Sequence, residues 1–208
     1  MVMKAKILFL LIIGFLPAIG QPGLYLSAGI GQSKAYTDGT HMYQLTDVTF
    51  KPLLSGNMGV RFEWNFNDKI IPHAGIAVMM LGWNMEWGQN AFYHVGSTDH
   101  FRNFYLAFPI GVSIPVFKKA GVDLTWINGY NLFKRNFSWP LYYSHIWEMA
   151  LQPGLFMKLE EWRFGMSYFL GLSDTFPHPL PDNYKISNLY NRALHFNVSY
   201  RLKTFGKK

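Results

Sequence analysis

The chain has 208 residues, 50% of them hydrophobic and 18% aromatic, with no cysteine and a formal charge of +7. That length allows one domain or at most two, and the lack of cysteine excludes disulfides, thiolate metal sites and a lipidated cysteine while leaving the redox compartment open. The basic residues are scattered rather than gathered into an aromatic-interleaved stripe, which argues against nucleic acid as a partner.

Residues 1–20 open with Lys4 and Lys6, continue through an apolar centre from Ile7 to Leu16, and end on the small-residue run Ala18-Ile19-Gly20. This is the pattern of a secretory signal peptide. The centre is too short for a spanning helix, which needs about 20 residues, and Pro17 would end it. Its removal takes two lysines, lowers the formal charge from +7 to +5, and leaves residues 21–208 as one domain. No second apolar run of spanning length follows, which argues against a helical inner-membrane protein.

The rest of the chain alternates with a period of two, the mark of β-strands. The first predicted strand is Leu24–Lys34, with Leu24, Leu26, Ala28 and Ile30 opposite Tyr25, Ser27, Gly29 and Gly31. A connection from Ala35 to Pro52 leads to Leu54–Phe66, where Leu54, Met58, Val60, Phe62, Trp64 and Phe66 face away from Ser55, Asn57, Arg61, Glu63 and Asn65. Asn67-Asp68-Lys69 turns tightly into Ile70–Trp87, whose two faces are both apolar, so the pattern leaves its register open. Gly88–His100 is a second long connection.

Asn103–Leu132 is the clearest stretch: Phe104, Leu106, Phe108, Ile110, Val112, Ile114 and Val116, then Lys118-Lys119-Ala120-Gly121, then Val122, Leu124, Trp126, Tyr130 and Leu132. It predicts a hairpin of two long strands. Lys134–Trp147 connects to Glu148–Leu159, Glu160-Glu161 turns into Trp162–Ser173, Asp174–Tyr190 forms the fourth long connection, and Asn191–Lys203 is the last strand. Prolines at 72, 109, 115 and 153 would each remove a ladder hydrogen bond, so bulges or strand ends are expected there.

The count is eight, and short turns alternate strictly with long connections. Strands of this length suit a tilted bilayer crossing of about 9–11 residues, and short turns on one side with long loops on the other mark outer-membrane barrels. The expected fold is therefore all-β, an eight-stranded antiparallel up-and-down transmembrane β-barrel in the cell outer membrane, with its termini and short turns in the periplasm. With its leader, the hairpin from Asn103-Phe104-Tyr105-Leu106-Ala107-Phe108-Pro109, and the alternating end Leu194-His195-Phe196-Asn197-Val198-Ser199-Tyr200-Arg201-Leu202-Lys203, the whole mature chain resembles the small outer-membrane β-barrel domain proteins of Bacteroidota. That family is Gram-negative, porin-like in part and functionally mixed. The resemblance implies an architecture and no particular activity.

Two sets of residues are candidates for function. Arg61, Glu63, Asp123, Glu148, Gln152, Lys158, Arg163, His195 and Arg201 fall on inward positions and would form a paired polar network filling a tube just wide enough for its own side chains. Trp87, Tyr93, Trp139, Tyr142, Tyr143, Trp147, Phe176 and Tyr184 gather near the predicted outer rim, as girdle residues at the head groups or as contacts for a partner.

His41, His94, His100, His145 and His178 form no close metal-ligand pair. Asp99-His100, Ser144-His145 with Glu148, and His178 with Asp174 or Asp182 match no catalytic motif, so neither metal nor cofactor is expected. The reading is a non-enzymatic barrel in outer-membrane lipid that presents four loops to a partner. The alternatives are a small porin-like transporter or ligand-holding barrel, and an enzyme acting on outer-membrane lipid.

Overall fold

A computed structural model describes residues 21–37, 48–65, 69–87, 98–136, 147–173 and 189–204. Eight strands run through them: β1 (Gln21–Thr37), β2 (Val48–Asn65), β3 (Ile71–Trp87), β4 (Thr98–Phe117), β5 (Ala120–Asn136), β6 (Trp147–Leu159), β7 (Trp162–Gly171) and β8 (Leu189–Thr204). Each pairs antiparallel with its neighbours in sequence, and β8 closes on β1 to complete a barrel. Closure removes the unpaired edge that an open sheet would present. The leader lies outside the described residues.

Tracing Cα partners around the wall from Leu24 leads through Phe62, Ala74, Ile110, Trp126, Leu151, Leu170 and Arg192 and returns to β1 at Lys34. The circuit closes ten residues beyond its start, from Leu24 to Lys34. Such a stagger over eight strands inclines them by about 40° to the axis.

The period of two then sorts side chains between wall and lumen. Exposed apolar residues occur on every strand, among them Ile30, Met58, Ile76, Ile114, Leu124, Leu155, Met166 and Phe196. The open register of the third strand is resolved the same way: Ile76 and Val78 are exposed on the wall, whereas Met79, Leu81, Trp83 and Met85 are buried in the lumen. Trp64 shares the outward set and stacks on Phe62 with centroids 6.3 Å apart, yet it is buried.

Several strands outrun their sequence-derived limits. β1 takes in Ala35–Thr37, β2 begins at Val48 rather than Leu54, β4 begins at Thr98 and β8 at Leu189, so parts of the expected connections are ladder. The apolar alternation ends where the wall becomes polar, but backbone pairing does not need apolar side chains. Lys51 and Glu86, 2.6 Å apart on β2 and β3, show such a polar upper wall.

The prolines behave differently from one another. A register shift lies between Pro115 and Phe117, and Pro72 sits one residue inside the start of β3. Pro109 and Pro153, against expectation, are at neither a bulge nor a strand end. Pairing of β3 with β4 lapses between Ala77–Ala107 and Ala74–Ile110, and that of β6 with β7 between Leu151–Leu170 and Gly154–Ser167, with the register unchanged on both sides. A missing N–H is accommodated by a local gap in one ladder.

Candidate functional site

The lumen is layered, and its floor, near the short turns, is ionic. Glu63 of β2 lies 3.0 Å from Arg61 Nε and accepts from Lys158 at 3.0 Å and from Arg163 Nη1 at 2.8 Å. Asp123 of β5 accepts from Arg163 at 2.5 Å and from Arg61 at 3.4 Å. Ser113 Oγ accepts from both guanidiniums, at 2.8 Å and 3.1 Å.

Arg61 also reaches His73 Nδ1 at 3.0 Å, while His73 Nε2 lies 3.0 Å from Thr125 Oγ1. A guanidinium can only donate, so Nδ1 is the accepting nitrogen and the proton is on Nε2. The ring of Phe156 lies 3.8 Å from the Arg163 guanidinium. Three cations and two carboxylates from β2, β5, β6 and β7 thus cross-link the bottom of the tube.

Above this floor is a cavity of about 120 Å³ whose lining includes Asn57, Gln152, Ser167, Asn197 and Ser199. Gln152 donates to Ser167 at 2.6 Å, Asn197 to Ser167 at 2.8 Å, and Asn57 to Asn197 at 3.2 Å. Gly29 makes room for the last pair, since a Cβ there would stand 2.2 Å from Asn197 Oδ1 and 2.6 Å from Asn57 Nδ2. Polar walls and this volume suit several waters.

Higher still the lumen is apolar. Met79, Leu81, Tyr105, Ala107, Ile127, Ala150, Phe169 and Ala193 form one buried cluster, and Ala35, Trp83, Met85, Phe101 and Leu189 a second, against which Phe50 packs. Trp83 and Phe101 stack at 5.4 Å. An interior filled by one polar network is therefore corrected to an ionic floor, a polar cavity and an apolar plug.

The nine inward residues named from sequence are accordingly divided. Arg61, Glu63, Asp123, Lys158 and Arg163 meet in the floor, and Gln152 lines the cavity above them. Glu148 accepts from Asn191 at 3.1 Å and shares the Tyr105 hydroxyl, beside Gly171, where a Cβ would come within 2.5 Å of its Oε1. His195 is fully buried, with Nε2 2.9 Å from Ser55 Oγ.

Arg201 is not in the lumen network but at the turn end, bonded through Nε and Nη2 to Glu161. That guanidinium holds the Glu161 carboxyl below the usual carboxylate range, so the pair persists in acid until the lowered value is passed. His73, Ser113, Thr125 and Phe156 belong to the floor or its roof but were missing from the sequence-derived set. The inward parity of Ser113, Thr125 and Phe156 was readable but not their shared level, and for His73 the open register of β3 hid even the parity.

Of the rim aromatics, Trp147 is exposed on the wall and packs edge-on against Tyr130 at 5.2 Å. Trp87 ends β3, and Tyr93, Trp139, Tyr142, Tyr143, Phe176 and Tyr184 lie outside the described residues. A second aromatic group, missed in the sequence, surrounds the turn end: Trp162 lies 4.8 Å from Tyr200 and 6.4 Å from Phe164. Its signal was the tryptophan that directly follows the Glu160-Glu161 turn.

His100, expected in a loop, is on β4 and bonds Asn84 at 2.7 Å. His41, His94, His145 and His178 lie outside the described residues. Among the described residues no group of three His, Cys, Asp or Glu side chains could hold a metal ion.

An apolar wall around an ion-paired lumen inverts the arrangement of a soluble domain and defines an integral membrane β-barrel. No protein-family model matches the chain, and no curated protein does. Among solved structures, the chain is similar to Ail, the attachment invasion locus protein of Yersinia pestis, at 13% identity and TM-score 0.48 over 88% of this chain and 99% of that one. It is also similar to Neisserial surface protein A, at 10% identity and TM-score 0.47 over 86% and 97% of the two chains. OprG of Pseudomonas aeruginosa follows at 11% identity and TM-score 0.42 over 88% and 97%.

Proposed function

We propose that this chain is an integral outer-membrane β-barrel protein without enzymatic activity, a structural or accessory subunit that presents the loops between β1 and β2, β3 and β4, β5 and β6, and β7 and β8 to a partner. The observation that carries the reading is the combination of a wall apolar on all eight strands with a lumen closed twice, by the ionic floor and by the plug around Phe169 and Leu81. A wall of this kind needs lipid. Among the described residues a lumen closed in this way offers no open channel for solutes, which supports a role for the loops rather than for a pore.

Refolding from urea into phosphatidylcholine vesicles tests the first half. A folded band that shifts on heating in gel electrophoresis, together with aggregation in buffer without detergent, is expected. A monodisperse protein in plain buffer would refute the membrane assignment. Planar-bilayer recording tests the second half, with pore-scale conductance as the refuting outcome. Capture in mild detergent, followed by loss of the captured protein when residues 137–146 or 174–188 are replaced by short turns, tests the loops.

A further inference from the structure

Among the described residues the barrel wall is incomplete between β1 and β2 at the loop end. Their ladder stops at the pair Ser33–Leu53, yet β1 continues to Thr37 with only β8 beside it, and β2 begins at Val48 with only β3 beside it. Pro52 stands at the break and has no N–H to offer β1. On its other side the β2–β3 register slips between Pro52 and Gly56, and Ser33 Oγ bridges the slip by donating to Gly82 O at 2.7 Å and accepting from Gly82 N at 2.8 Å. A groove of about 540 Å³ opens here, lined by outward Lys34 and Leu194 as well as inward Ser33 and Ala35.

Among the described residues the charged groups lining this opening, Lys34 and Arg192, are both positive. Lys34 and Arg192 are direct cross-strand partners on the outer face, an arrangement of like charges that destabilises a sheet. Among the described residues neither forms an ion pair with a carboxylate. Arg192 is held in place by donation to Gly171 O at 2.5 Å and by the Tyr36 ring at 5.5 Å. Below the two cations the same face carries Gln32 beside Leu194 and is apolar beyond it, with Leu194, Ile30 and Phe196 exposed.

We propose that this opening binds a lipid with an anionic phosphate head group, held between Lys34 and Arg192, with an acyl chain lying against Leu194 and Ile30. Cations at the upper edge of an apolar wall match an amphiphile rather than a free ion, because the charge and the chain must be satisfied side by side. The inference rests on the membrane reading above.

The test is native mass spectrometry of the folded full chain released from detergent micelles doped with equal amounts of phosphatidylglycerol and phosphatidylcholine. Preferential retention of phosphatidylglycerol is expected, falling about fivefold for each cation removed in Lys34→Gln and in Lys34→Gln/Arg192→Gln. Lys203→Gln, at the opposite end of the barrel, should leave it unchanged, and excess inorganic phosphate should not displace it. Equal retention of the two lipids, or no change in Lys34→Gln, would overturn the proposal. Lys34 is exposed and, among the described residues, makes no contact of the kind Arg192 makes, so that single variant decides even where the double one misfolds. Failure of the unaltered chain to fold into vesicles would instead defeat the membrane reading, which separates the two.

Discussion

Arg163 Nη1 donates to Glu63 Oε1 at 2.8 Å across the lumen, joining β7 to β2, two strands that share no ladder. Lys158 of β6 reaches the other oxygen of the same carboxylate at 3.0 Å. One glutamate therefore ties three strands that closure alone would leave to be spaced by side-chain volume.

Replacing Glu63 by Gln leaves Arg61, Lys158 and Arg163 facing Asp123 alone. Removing one partner of a buried pair costs about 3–5 kcal/mol, and the partial exposure of Lys158, 29%, places this change toward the lower end. Urea titration of the barrel in vesicles should show the loss, and adding Lys158→Met should recover part of it. An unmoved midpoint in Glu63→Gln would refute the hub.

Phe169 is wholly buried in the plug. Its replacement by Ala should destabilise the barrel by about 3–5 kcal/mol, the range for emptying an aromatic site in a packed core. Planar-bilayer recordings of the same variant should stay silent, because the ionic floor closes the lumen independently. Conductance steps in Phe169→Ala would show that the plug is the only barrier.

Val78 lies midway along β3 on the outer wall, and Leu202 lies near the turn end of β8. Arginine at Val78 should cost about 2–4 kcal/mol in a bilayer, and at Leu202 about 0–1 kcal/mol. Refolding equilibria in vesicles give both values. Equal costs would mean that the two positions share a depth, contrary to a barrel spanning along this axis.

Glu160 has φ of 54°, left-handed, in the turn between β6 and β7. A side chain in that conformation costs roughly 1–2 kcal/mol that glycine does not incur. Glu160→Gly is expected to raise stability by about 1 kcal/mol after the greater freedom of glycine in the unfolded chain is offset. The β-branched Glu160→Val should lower it. A stabilising valine would show that the turn does not keep this geometry in solution.

Much of the wall was legible in the sequence. Leu26, Ile30, Met58, Val60, Ile110, Leu124, Met166 and Phe196 alternate with polar or small residues, and a period of two needs no tertiary information to be read. The short turns at Lys118-Lys119 and Glu160-Glu161 then fixed which strands are neighbours. β3 resisted, since apolar residues on both its faces conceal which face packs inside.

Within the lumen the same reasoning could name inward residues but not their companions. Glu63 and Arg163 meet although 100 positions separate them in the chain, while Glu148 and His195, inward by the same parity, stand at other levels with Asn191 and Ser55. The deciding quantity is the ten-residue stagger from Leu24 to Lys34 on closure, which sets the height at which each inward side chain meets the others. Alternation and turn length, both local, determined the strand order and, outside β3, the face each side chain takes. Only the closed tube decided which charges pair, where the apolar plug sits, and where the β1–β2 ladder stops beside Pro52, because those depend on register accumulated around the whole circumference.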